Sequence, residues 1–207
     1  MILNETQNDI ITELITIGLG HAGGQLNEMF GFHVRLNIPL IEQIPPSKLA
    51  PRLPDHLGDW ITSVHMDFSG GIDGSAYFIA NPDSSKKLIA ALYGEDNPAP
   101  EDGTDGSIFD PEGAFAEVGN ILINSILGSV ANGLQRRFIF TIPKTEFCNI
   151  HTVIQEIGAE SMDNPILVAR TGFTIEELLL SDSVCLLFKI GSMIKFIEAL
   201  DNVQMDL

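Results

Sequence analysis

The feature that most constrains the fold of this chain is an internal repeat with a spacing of 104 residues. Shifting the sequence by this distance aligns identical residues in both halves, among them Glu13 with Glu117, Ile17 with Ile121, Gly24 with Gly128, Ile38 with Ile142, and Pro39 with Pro143. Two copies indicate a duplicated scaffold rather than a solenoid array. We therefore expect one domain, residues 1–207, made of two pseudo-repeats at about 1–93 and 108–207. The acidic, Gly/Pro-rich stretch 94–107 is predicted to be the linker.

Length, composition and charge exclude several classes of protein. A chain of 207 residues with 44% hydrophobic residues can bury one substantial core. A net charge of −17 disfavours nucleic acid and anionic membranes as partners. Because the sequence has no run of about 18 apolar residues and no signal peptide at its start, we expect no membrane insertion and a cytoplasmic location. Cys148 and Cys185 form no CxxC motif and are expected to be free thiols.

Hydrophobic periodicity predicts the same order of elements in each half. Long apolar helices are expected at 5–30 and 111–134. Alternating patterns predict strands at 32–38, 60–68 and 75–80 in the first half, and at 136–142, 165–173 and 183–190 in the second. A helix closes each half, starting near Asn81 and spanning about 192–203. The segments between the first and second strands are expected to be irregular. The predicted fold class is α+β, a duplicated α-β-β-β-α unit whose antiparallel sheet is packed with helices.

Glu117 and Asn120 are the candidate functional residues of the second half. A three-residue step on a helix places both side chains on one face, one turn apart. A carboxylate can hold a partner's cation, and a carboxamide can accept a hydrogen bond from a water molecule and donate one to it. Asn124 lies one turn further on and could assist, although a solvent-facing or inter-helix amide is the simpler interpretation.

This pattern resembles the motif of the CheC/CheX/FliY family of chemotaxis phosphatases. That motif is an acidic residue or Ser, three residues, Glu, two residues, Asn, twenty-two residues and Pro. In the second half, Glu117, Asn120 and Pro143 match it, while Gly113 stands in the leading position with Glu112 beside it.

The first half carries a degenerate copy of the motif. Asp9, Glu13 and Pro39 match it, but Thr16 stands where the family has Asn. The segment Ile17-Gly-Leu-Gly-His-Ala also resembles the family's Ile-Gly-Ala-Gly-Asn-Ala. Thr16 is shorter than Asn, and its hydroxyl can instead bond a carbonyl of the preceding turn.

The resemblance implies hydrolysis of the aspartyl phosphate on a CheY-like response-regulator receiver domain. Asn120 would align the attacking water, and Glu117 would engage a lysine of the receiver. The receiver would supply Mg²⁺, so this chain needs no cofactor of its own. Pro39 and Pro143 are expected to be structural, at a strand end. The alternative is a non-catalytic binding module for a receiver domain or a CheD-like partner.

Two other patterns favour structural interpretations. His65 and Asp67 are the nearest approach to a metal pair, but there is no HExxH motif or Cys/His cluster, so no metal site is expected. The glycines at 18, 20 and 23 have the spacing of a dinucleotide fingerprint. They fall within or just after a helix rather than between a strand and a helix, which indicates a glycine-softened helix.

Overall fold

The computed structural model describes residues 2–93, 110–159, 162–176 and 180–203. The first half contains α1 (Glu5–Phe30), β1 (Val34–Leu36), β2 (Leu40–Ile44), three short 3-10 helices (Pro46–Lys48, Ala50–Arg52, Asp55–Leu57), β3 (Trp60–Ser69), β4 (Gly74–Ala80) and α2 (Pro82–Tyr93). The second half contains α3 (Pro111–Gly133), β5 (Ile139–Phe140), β6 (Lys144–Asn149), α4 (Ile150–Ile157), β7 (Ile166–Ile175), β8 (Leu180–Ile190) and α5 (Met193–Asp201).

Local capping sequences fix the ends of the long helix α1. The Asn4 side chain accepts a hydrogen bond from the Gln7 backbone, and the Gln7 side chain accepts one from the Asn4 backbone, which forms a capping box. At the other end, Gly31 adopts a left-handed conformation with φ of 70° and donates to the Asn27 carbonyl. The sequence therefore specifies both ends of this helix, as expected from residues 5–30.

The described strands form one antiparallel sheet in which each half completes the other. The strand order is β1-β7-β8-β4-β3-β5, with β2 also paired to β7 and β6 also paired to β3. The edge strands β1 and β2 of the first half therefore pair with the second half, while β5 and β6 pair with the first. The predicted α+β class with an antiparallel sheet is confirmed.

Two layers of apolar residues cover the faces of this sheet. On one face, α1 and α3 pack over a core that includes Phe78 and Phe115, whose rings stack with centroids 5.1 Å apart. The other face is covered by α4 and the 3-10 segment through Leu49, Leu57 and Val153. Burial of these side chains from both faces supplies the main driving force for folding.

The helices α1 and α3 run in opposite directions and cross at Gly18. Leu14 lies against Gly133, and Ser125 donates a hydrogen bond to Gln25 at 3.1 Å. A Cβ atom at position 18 would lie 2.4 Å from the Ile126 Cα, so the crossing requires glycine.

The apolar helix α3 meets the length and composition of a membrane span, but more than half of that apolar stretch is buried within the fold.

The first and last described helices also meet. The Gln7 side-chain amide donates to the Asp201 carboxylate at 2.6 Å, which joins the start of α1 to the end of α5.

The structure corrects the expected strand count. The strand predicted at 32–38 is β1, and a further strand, β2, follows it after Pro39. The stretch after Pro143, predicted to be irregular, holds β6 and α4. Among the described residues, each half thus contributes four strands rather than three. Each proline predicts the end of a strand because it lacks an N–H, so the strand that follows it is not expected. The helix α4 is missed because its 8 residues are fewer than the window in which helical periodicity is visible.

The linker predicted at 94–107 lies outside the described residues. The division of the chain into two pseudo-repeats stays a prediction.

Candidate functional site

Glu117 and Asn120 lie on the side of α3 directed away from the sheet. Glu117 is exposed and Asn120 is half-buried, whereas Val118 and Gly119 between them are buried. A Cβ atom at Gly119 would lie 2.6 Å from the Val64 side chain, so this glycine lets α3 approach β3 closely. This tight contact fixes the rotation of the helix about its axis. The exposed Glu117 and the half-buried Asn120 therefore lie on the same side of α3, away from its contact with β3.

The amide of Asn120 is held by its neighbour one turn along the helix. The Asn124 side-chain nitrogen donates a hydrogen bond to Asn120 Oδ1 at 2.6 Å. Residues four apart on a helix are neighbours, which explains the contact. Asn124 is half-buried, and its Nδ2 group is engaged within α3 by this bond.

The corresponding residues of the first half differ in their polar contacts. Glu13 is exposed and Thr16 is half-buried on α1. The Thr16 hydroxyl donates to the Thr12 carbonyl at 2.7 Å, which is the local bond expected of threonine within a helix. Because its proton is used in that bond, Thr16 presents no outward donor comparable to the Asn120 amide.

The two sites lie at opposite ends of the α1–α3 pair. Each precedes the crossing of Gly18 with Ile126 along its own helix, and the helices are antiparallel. At about 1.5 Å per residue, this places Glu13 and Glu117 roughly 20 Å apart along the pair, and Thr16 and Asn120 roughly 12 Å apart. Glu13 and Glu117 therefore belong to two separate surfaces.

Pro39 lies in a one-residue bulge at one edge of the sheet. Leu36 pairs with Phe173 and Leu40 pairs with Arg170, so three residues of the first half span two residues of β7. Asn37 closes the bulge by donating from its backbone to the Gly172 carbonyl at 3.0 Å. Proline suits a position where the ladder is interrupted, because it has no N–H to donate.

Pro143 lies in a second bulge of the same kind, at the opposite edge of the sheet. Phe140 pairs with Phe68 and Lys144 pairs with His65, again with three residues opposite two. Thr141 donates to the Asp67 carbonyl at 3.0 Å, the same bond that Asn37 makes in the first half. The residue before each proline is strongly exposed: Ile38 at 80% and Ile142 at 83%.

The leading position of the motif, Gly113, serves as part of the helix start. Its backbone N–H donates to the Asp110 carboxylate at 2.9 Å, which caps α3. A Cβ atom at Gly113 would lie 2.3 Å from Asp110 Oδ2, so a larger residue would displace this cap. The neighbouring Glu112 is exposed, and its carbonyl accepts from Thr145 at 3.3 Å.

The remaining candidate residues lie away from this surface. His65 Nε2 lies 3.1 Å from Asp67 Oδ1, and Ser75 donates to the same oxygen at 2.7 Å. Partial burial acts to raise the pKa of Asp67, but the Ser75 hydrogen bond and nearby His65 outweigh it and lower that pKa. Across the described ranges, no group of three or more His, Cys, Asp or Glu is arranged to hold a metal ion.

The two cysteines are free thiols with a low tendency to ionise. Burial raises the pKa of Cys185 to about 12, and burial also raises the pKa of the half-buried Cys148. Since the thiolate is the reactive form, neither is suited to act as a nucleophile. The glycines at 18, 20 and 23 lie within α1, as the sequence indicated, rather than between a strand and a helix.

Comparison with known proteins finds similarity in sequence to CheC and in fold to FliY, FliM and CheX. No family model matches the chain. The chain is 24% identical over 157 residues to the CheY-P phosphatase CheC of Bacillus subtilis, which covers 74% of this chain and 72% of CheC.

Three solved structures show the same fold. Thermotoga maritima FliY superimposes with a TM-score of 0.77 at 16% identity, covering 99% of this chain and 100% of FliY. FliM in a FliG–FliM complex from H. pylori gives 0.67 at 10% identity, covering 95% and 100%. CheX in a CheX–CheY–BeF3–Mg²⁺ complex from Borrelia burgdorferi gives 0.52 at 14% identity, covering 86% and 97%.

Proposed function

Since this chain is a CheC/CheX/FliY-like protein in sequence and fold, we propose that it hydrolyses the aspartyl phosphate of a CheY-like receiver domain. One competent site, Glu117 and Asn120, carries the reaction. The observation behind this assignment is that an exposed Glu117 and a half-buried Asn120 lie on the side of α3 away from the sheet. The similarity to the CheY-P phosphatase CheC supports the reaction class.

The chemistry requires positioning more than it requires a nucleophile from the protein. Water attacks the phosphorus atom, the bond from phosphorus to the aspartyl oxygen breaks, and the receiver recovers a free carboxylate with release of inorganic phosphate. Such transfers are catalysed mainly by alignment and by neutralisation of charge. An amide that orients the water can therefore be sufficient.

Each of the two side chains has one role in this proposal. Asn120 keeps one free lone pair and two N–H groups with which to hold the water in line with the phosphate. Glu117 pairs with a lysine beside the phosphorylation site, which fixes the receiver against α3. The receiver brings Mg²⁺, and this chain adds no cofactor. The reaction takes place in the cytoplasm.

The first half is proposed to be a degenerate site. Glu13 can still pair with a cation, but Thr16 spends its hydroxyl proton on the Thr12 carbonyl. It therefore lacks an outward N–H and reaches less far than an amide. We expect this surface to contribute little to hydrolysis.

Phosphate release from a phosphorylated receiver with Mg²⁺ tests the assignment. Asn120→Ala is expected to reduce the rate about 100-fold or more, because one preorganised polar group in a transition state is typically worth this much. Glu117→Ala should also lose most of the rate, whereas Glu13→Ala should lose far less.

Asn132→Ala is the matched control, since Asn132 is an exposed asparagine on the same helix. Undiminished release by Asn120→Ala would refute the catalytic role. Equal losses from Glu13→Ala and Glu117→Ala would contradict the asymmetry between the halves.

A second candidate function is a non-catalytic module that binds a receiver domain or a CheD-like partner. Two observations favour it: the committed hydroxyl of Thr16 and the helix-cap role of Gly113, both at motif positions. The fold is also shared with FliM, solved in complexes with FliG and with SpeE. Binding of the receiver with no change in its dephosphorylation rate would favour this function over catalysis.

A further inference from the structure

We infer that Asn124 is a positioning residue that fixes the side-chain amide of Asn120 for the attacking water. This inference rests on the proposed function, because it assigns a second residue to the same reaction. It begins from the 2.6 Å hydrogen bond that runs from Asn124 Nδ2 to Asn120 Oδ1.

The bond restricts the one torsion that decides where the Asn120 amide points. The terminal torsion of an asparagine is broad and roughly two-fold, so an unrestrained amide samples many orientations at similar energy. A hydrogen bond to Oδ1 selects one of them. The Nδ2 group of Asn120 then lies on the opposite edge of the amide plane, away from Asn124. A fixed donor at this edge reduces the entropy lost when the water is aligned.

The same bond also alters the strength of the free edge. Asn120 Oδ1 has two lone pairs, and Asn124 occupies one, which leaves the other and both N–H groups available. A donor on the carbonyl oxygen polarises the amide, so its N–H groups become stronger donors. Asn124 therefore orients the amide and strengthens its contact with a water or a phosphoryl oxygen.

Asn124 achieves this at a cost to folding. Its own Oδ1 is buried, and it has no hydrogen-bond partner among the residues that the structure describes. A buried acceptor without a partner is unfavourable, and an apolar side chain of the same size would avoid this. A residue kept for stability would not leave such an atom unpaired. The arrangement is expected where function opposes stability.

Asn124→Leu tests the inference, because leucine keeps the size and branching of asparagine and removes both polar atoms. We expect kcat for phosphate release to fall about 10-fold, with the affinity for the receiver unchanged. The midpoint of thermal unfolding should stay equal or rise. A merely structural role predicts the reverse, namely a lower midpoint with an unchanged rate. Asn132→Leu on the same helix is the control for an added leucine.

A double-mutant cycle with Asn120→Ala shows whether Asn124 acts through Asn120. If it does, Asn124→Leu should cause no further loss of rate in the Asn120→Ala background. Independent, multiplying losses would overturn the inference while leaving the proposed function intact.

Side-chain amide NMR keeps the test decisive if the wild-type protein releases no phosphate, in which case the proposed function itself fails. The Asn120 amide should be ordered in the wild type and mobile in Asn124→Leu. An Asn120 amide equally mobile in both proteins would overturn the positioning role directly.

Discussion

Thr16 and Asn120 stand at equivalent places on α1 and α3, but their polar atoms reach different partners. The threonine hydroxyl turns back to its own helix, while the asparagine amide contacts a second amide and keeps free polar atoms. At position 20, where the second half has Asn124, the first half has an exposed glycine. Under the proposed function, Asn120 and Asn124 are the side chains that the first half lacks.

Restoring these two residues should move activity to the first half. In an Asn120→Ala background, Thr16→Asn is expected to recover phosphate release about 10-fold, since Asp9, Glu13 and Pro39 already match the motif. Adding Gly20→Asn should recover more, because the new amide then gains a positioning partner; apart from the adjoining residues of α1 itself, no described atom lies within 4 Å of a Cβ there. No recovery from either variant would show that the first half lacks more than these side chains.

Asp67 predicts a dependence of stability on acid pH. Its folded-state pKa is lowered from 3.8, with the Ser75 hydrogen bond and His65 outweighing burial. The ionised form is therefore favoured in the folded state. Its stabilisation is complete above the unfolded pKa and is lost as pH falls through the lowered folded pKa.

Ser75→Ala is expected to flatten this dependence, because it removes one hydrogen bond to the carboxylate. Urea unfolding between about pH 6 and pH 2 measures it. An unchanged decline in the unfolding free energy on the acid side would rule out this contribution from Asp67.

The sequence alone predicts the candidate residues, but it does not predict which partners their side chains contact. The three-residue step on an amphipathic helix was enough to predict that Glu117 and Asn120 share a face. The bond between Asn120 and Asn124 was not predictable in the same way. An i,i+4 amide pair can equally point to solvent or to another helix, and the choice depends on the packing around it.

At the scale of elements, the crossing of α1 and α3 depends on a single missing side chain. Gly18→Ala places a Cβ 2.4 Å from the Ile126 Cα, which the backbone cannot accommodate without moving the helices apart. We expect a loss of about 1–3 kcal/mol in the unfolding free energy, the usual cost of overpacking. Denaturant unfolding measures it.

Gly20→Ala on the same helix is the control. Apart from the adjoining residues of α1 itself, no described atom lies within 4 Å of a Cβ there, so alanine should stabilise α1 by roughly 0.5–1 kcal/mol. If Gly18→Ala behaves like Gly20→Ala, the close crossing is not what requires glycine.

The long elements were predictable because their signals are local. The capping box at Asn4, the glycine stop at position 31 and the proline at the start of α3 lie in the sequence next to the ends that they fix. The edge strands β2 and β6 depend instead on partners far along the chain. Their pairing with β7 and β3 is a tertiary contact, and a bulge at a proline hides it from periodicity.

At the scale of the whole molecule, the halves share one sheet. Strands β1 and β2 pair with β7 of the second half, and strands β5 and β6 pair with β3 of the first. Each half alone would therefore expose unpaired backbone N–H and C=O groups. We expect the separate fragments 1–93 and 110–207 to be unfolded or aggregated alone. Mixed together, they should regain the circular dichroism spectrum of the intact chain. A fragment that folds alone with a cooperative transition would contradict this.

The hydrogen bond between Gln7 and Asp201 brings the first and the last described helices together. Because α1 and α5 are in contact, a short peptide could connect them in a circularly permuted chain. The new termini of that chain would lie at another point of the sequence. We expect a chain that runs from residue 110 onward and then from residue 2 to form the same eight strands that the structure describes. On this view, the fold depends on which strands and helices are neighbours, and it does not depend on the order in which they follow one another along the chain.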